Sequence, residues 1–114
     1  MNIYNRKFDG GLPGELLGRV HAVGEISGEG TFFEMSNIGN KIHVYEGPLS
    51  AMTVATQRYI ATGPSSDATF TAYRSQVTAA LASYGAAHEN TNYSFGTENS
   101  LMFMNYVRRS SEVE

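Results

Sequence analysis

Three histidines, His21, His43 and His88, and a set of carboxylates are the residues with the most chemistry to offer in this chain. His21 and Glu25 stand four apart in a stretch that reads as strand, so both point to the same face. His43 lies in a second such stretch, and Tyr45, two residues on, shares its face. A His/His/Glu set is the minimum for a metal site or for an acid–base pair. However, no two histidines have tight ligand spacing such as His-x-His, and the chain has no cysteine, so no metal is expected. The plainer alternative is a group of histidines on the wet face of a sheet. His88 follows the expected helix, where a partly charged imidazole suits the negative end of the dipole. His21, Glu25, His43 and Tyr45 are therefore the candidate catalytic residues, and no cofactor is implied.

Other chemistries have less support. There is no Gly-x-Ser-x-Gly elbow to present a nucleophile. Gly10, Gly11 and Gly14 are followed neither by Lys-Ser/Thr nor by a helix, and Gly28-Glu29-Gly30 opens a strand, so both clusters read as turns rather than phosphate loops. Glu25, Glu29, Glu34 and Glu46 fall in one stretch, residues 25–46, whose only lysine or arginine is Lys41. Paired carboxylates can do acid–base work. They also make a solvated acidic face or a contact surface for a basic partner. Seven Tyr and five Met without any Trp is a high share for this length, and both residue types favour surfaces that meet partners. Leu101-Met102-Phe103-Met104-Asn105-Tyr106 concentrates them. Met102, Met104 and Tyr106, with Glu25 and Glu34, are the candidate interface residues.

The elements that must position these groups follow from periodicity. Asn2 to Phe8 is a short edge strand or a flexible arm, and the loop Asp9-Gly10-Gly11-Leu12-Pro13-Gly14 follows it, so that residues 1–14 make a possible arm and loop. Residues 16–26 read as a strand, with Val20, Ala22, Gly24 and Ile26 on one face and His21, Val23 and Glu25 on the other. A glycine turn leads to residues 31–36, where Phe33 and Met35 oppose Phe32 and Glu34. Residues 41–46 follow, with Ile42 and Val44 facing away from His43 and Tyr45. Residues 50–62 are rich in β-branched and aromatic side chains, which favours a strand, although Leu49, Met52, Ala55 and Tyr59 also fit a helical stripe. Pro64-Ser65-Ser66-Asp67 then reads as a helix start and Gly85 as its stop. Phe70, Tyr73, Val77, Leu81 and Tyr84 form the stripe between them, giving one main helix over residues 66–84. Residues 93–95 and 100–108 read as a C-terminal β-hairpin, and 110–114 as a polar tail.

These elements predict an α+β fold: an antiparallel β-meander curled around one main helix, in a single domain of 114 residues. The last strand is apolar on both faces, while one helix can cover only one, so a self-association, dimer or higher, is expected. A net charge of −3 with scattered basic residues argues against nucleic acid. No stretch is long and apolar enough for a membrane span, the start shows no signal peptide, and the absence of cysteine is compatible with a reducing cytoplasm. The expected function is that of a small non-enzymatic binding protein acting on another protein, as accessory or inhibitor proteins of phages and mobile elements do. The alternative is a cofactor-free enzyme of isomerase or cyclase type, or a carrier, with a Tyr/Met-lined apolar pocket.

Overall fold

The computed structural model describes residues 1–9, 20–94 and 99–114. The glycine-rich loop after Asp9 and the expected turn at 96–98 lie outside the described residues. Among the described residues, five strands form one antiparallel sheet: β1 (Asn2–Asp9), β2 (Val20–Ile26), β3 (Thr31–Ile38), β4 (Lys41–Gly47) and β5 (Ala68–Thr71), in the order β4-β3-β2-β1-β5. Three helices complete it: α1 (Val54–Ala61), α2 (Arg74–His88) and α3 (Ser100–Ser111). The α+β class and the antiparallel sheet are as the sequence predicts.

The alternation read in β2, β3 and β4 holds. Ala22, Ile26, Phe33, Met35 and Ile42 face α2 and α3 and form the main core with Ile3, Phe70, Val77, Leu81, Tyr84, Phe103 and Val107. The opposite face carries Val23 and Phe32, which pack with Met52, Phe8, Tyr45, Leu49 and Ile60 under α1 and the 3-10 turn before it. A sheet with two apolar faces must be covered twice, and here both covers come from the same chain.

Three elements differ from the sequence reading. Residues 50–62 contain no strand: they hold the end of the 3-10 turn Leu49–Ala51 and the helix α1. The Thr53 side chain caps α1 by accepting from the Thr56 amide, and this local bond outweighs the β-branched content. The main helix begins at Arg74, not Ser66, and runs past Gly85 to His88. Before it, Ala68–Thr71 pairs with β1, so Phe70 reaches the core from a strand. The C-terminal hairpin is α3, whose Asn99 cap accepts from the Met102 amide. Ser100, Phe103, Met104, Val107 and Ser111 are its buried stripe, at helical spacing. Every residue from Leu101 to Met104 is apolar, so the strand period fitted as well as the helical one. Of the apolar residues from which self-association was argued, α3 buries Met104 and half-buries Tyr106 and leaves Met102 exposed.

The chain ends are also more ordered than expected. β1 is neither arm nor edge but lies between β2 and β5. Past α3, the Tyr73 amide donates to the Ser111 carbonyl (2.9 Å) and the Val113 amide to the Thr71 carbonyl (2.8 Å), so residues 111–113 line the outer edge of β5 instead of forming a tail.

Two close contacts fix the sheet's interior. The Phe33 ring lies across Gly24, where an added Cβ would come within 2.2 Å of Phe33 Cζ. The β2–β3 register ends at Val23–Glu34. One residue on, the Ala22 amide donates to the Ser100 hydroxyl (2.9 Å), which itself lies 3.4 Å from the Ala22 carbonyl, so the first residue of α3 closes the ladder's end. Gly24→Ala should destabilise the fold by roughly 1–3 kcal/mol through overpacking. Urea denaturation measures this, and an unchanged midpoint would mean that the ring does not occupy that space.

Candidate functional site

The alternation of β3 puts Glu34 on the α1 side of the sheet, where its side chain is fully buried. A carboxylate there must be matched by donors, because burying an unpaired charge is prohibitive. Four donors surround it. Oε1 accepts from His21 Nε2 (2.6 Å), the Thr56 hydroxyl (2.6 Å) and the Thr53 hydroxyl (3.2 Å). Oε2 accepts from the Thr53 amide (2.6 Å). A strand carboxylate thus sits at the start of α1, where the helix dipole favours negative charge. Burial alone would raise the Glu34 pKa. Hydrogen bonds from His21, Thr56 and the Thr53 amide, together with the positive charge of His21, outweigh it and hold the carboxyl below its ordinary value.

The catalytic candidates share this face but not a centre. His21 is held by Glu34, with the edge of its ring 5.1 Å from Phe8 between centroids; Phe8 stacks on Tyr59 at 4.3 Å. Tyr45 stands opposite Glu34 across the β3–β4 ladder. Its pKa is raised by burial and by the Glu34 and Glu89 carboxylates. His43 Nδ1 lies 2.7 Å from Glu89 Oε2, beyond the end of α2. Glu25 is paired with Arg6 at 2.6 Å. His21, His43 and Glu25 are thus tied to three separate partners. Among the described residues no group of three or more His, Asp or Glu side chains could hold a metal ion. What this arrangement does is hold the His21 ring in one orientation, through the contact of its Nε2 with Glu34.

The interface candidates are dispersed. Met104 lies in the core, and Tyr106 packs on Tyr84 with its hydroxyl donating to Ser83 Oγ at 3.1 Å. Met102 is 44% exposed on the outer side of α3. Glu25 and Glu34 belong to the opposite face of the sheet.

A second feature was not read from the sequence. Between edge strand β4 and α2 runs an open groove of about 270 Å³. Val44, Leu81, Ala82 and Gly85 line it, with Glu46 and Glu89 among its polar residues. Gly85 sits inside α2, and a Cβ added there would meet nothing within 4 Å. The only sequence signal was a glycine in a helical pattern, and it reads more simply as a helix stop.

Glu34→Ala should cost roughly 3–5 kcal/mol at neutral pH, the range for breaking one side of a buried charged pair. The Glu34 pKa is depressed in the folded state, so its contribution is present above the ordinary glutamate value and lost as pH falls through the lower folded value. The wild-type and variant stabilities should therefore converge in acid when urea unfolding is followed against pH. A neutral-pH loss below about 0.5 kcal/mol, the ordinary surface range, would show that the carboxylate does not anchor α1. No known family, curated protein or solved structure matches this chain.

Proposed function

We propose that this chain is a non-enzymatic interaction protein that holds a segment of a partner protein in the groove between β4 and α2. Gly85 is the observation that carries this reading. A glycine inside a helix costs about 1 kcal/mol relative to alanine. Open space around Gly85 means that neighbouring packing does not require it. Its positive effect is to keep the wall of the groove low. With Ala82 beside it, the helix offers backbone and small side chains to a visitor, next to a sheet edge. Such a surface suits a small accessory or inhibitor protein that works by covering part of its target.

A second reading has one observation in its favour: His21, backed by a buried carboxylate and bordered by Phe8 and Tyr59, resembles an oriented general base. A cofactor-free isomerase, cyclase or carrier would use it, and a small-molecule ligand would then perturb the His21 ring resonances.

Selection of peptides from a random display library against the full chain tests the leading reading. Selected peptides should shift the amide resonances of Val44, Glu46, Leu81 and Gly85. Gly85→Leu should remove their binding without lowering Tm, because the new side chain fills the groove and restores helix propensity. Peptides that all map to the Phe8–Tyr59 side would contradict the assignment.

A further inference from the structure

We infer that the groove's occupant is an extended peptide segment that pairs with the open part of the β4 edge and lays a lysine or arginine side chain along α2. This rests on the groove being the binding surface.

The edge supplies the first argument. Outward-facing backbone groups occur at alternate residues of β4. Those of Ile42 are taken: its amide donates to the Thr91 carbonyl (2.8 Å), and its carbonyl accepts from the Asn90 amide (2.7 Å). The Val44 amide donates to Glu89 Oε1 at 2.9 Å. The next outward groups are the Val44 carbonyl and the Glu46 amide and carbonyl. None of them bonds to a described residue. Unpaired donors and acceptors in a row along an edge are what an added strand uses.

Side-chain chemistry supplies the second. Val44 and Glu46 point to the same side of β4, into the groove. A side chain entering there meets apolar surface from Val44 and Leu81 and then the carboxylates of Glu46 and Glu89. Arg74 is the described cation nearest Glu46, at 3.8 Å, but it is engaged more closely by Glu29, at 3.0 Å. Glu89 faces His43 across the strand edge. Carboxylates thus outnumber fixed cations around the groove. A lysine or arginine matches both parts, with its methylene stem on the apolar floor and its charged head at the rim. An acidic segment would meet like charge.

The test uses the full chain and three short blocked peptides of alternating threonine and valine. One carries a central arginine, one a central glutamate, and the third is the arginine peptide with its pairing amides N-methylated. Titrations are followed by amide chemical shifts. The arginine peptide is expected to shift Val44, Glu46 and Gly85. The other two should bind weaker by about tenfold or more, and Glu46→Gln should lower both the arginine peptide's affinity and its salt dependence. Failure of the arginine peptide to bind, equal binding of the glutamate peptide, or indifference to N-methylation would each overturn the inference. The library selection judges the groove separately: selected peptides that occupy it without a basic residue would leave the groove reading standing and remove this one.

Discussion

A carboxylate with no exposure to solvent organises half of this molecule. Glu34 stands in the middle of a sheet, on a face that would otherwise be apolar, and its charge must be met by donors. His21 comes from the neighbouring strand, and the Thr53 amide with the Thr53 and Thr56 hydroxyls comes from the start of α1. The same interaction therefore decides which segment covers the second face and where its helix begins. Val23, Phe32 and Met52 then close around the polar cluster. One consequence is functional. Of the residues with the richest chemistry, Glu34 and His21 are committed at the start of α1, and the open concave surface lies elsewhere, between β4 and α2.

Much of the sheet was legible because half-buried strands have a period of two and clear turns. Ala22, Gly24 and Ile26 against His21, Val23 and Glu25 is such a pattern, and the observed faces match it. Val77, Leu81 and Tyr84 were equally clear as a helical stripe. The failures share a cause. Residues 101–104 are apolar without interruption, so period alone could not separate strand from helix; the Asn99 cap decides it. In residues 50–62, β-branched content pointed one way and the Thr53 cap the other. At residues 68–71, a serine-rich stretch resembling a helix start precedes a short strand whose existence depends on β1, distant in sequence. The Asp67 carboxylate, read as a first-turn helix residue, accepts from the Lys7 amide of β1 instead.

The candidate site was legible as a face and illegible as a network. Periodicity alone put His21, Glu25, His43 and Tyr45 on one side of the sheet. Their partners were not accessible to that reasoning: Glu89 arrives from beyond the end of α2, and Thr53 and Thr56 were assigned to a strand. Glu34 was read as a surface carboxylate because charged residues are seldom fully buried. The groove was harder still. Small residues of one helix and the unpaired edge of a strand make it together, and neither leaves a spacing that a single sequence reveals.

A structural charge therefore lies at the centre and an open groove at the edge, and the anchoring of α1 by Glu34 explains why the His21 face is occupied. A carbon-detected NMR titration of the Glu34 side-chain carboxyl tests it most directly, with the Thr53 amide followed in parallel. The account predicts a midpoint below the usual glutamate value of about 4.3, with the Thr53 amide shifting through the same transition as its acceptor is lost. A midpoint at or above that value, or a Thr53 amide indifferent to it, would contradict the anchoring role on which the rest is built.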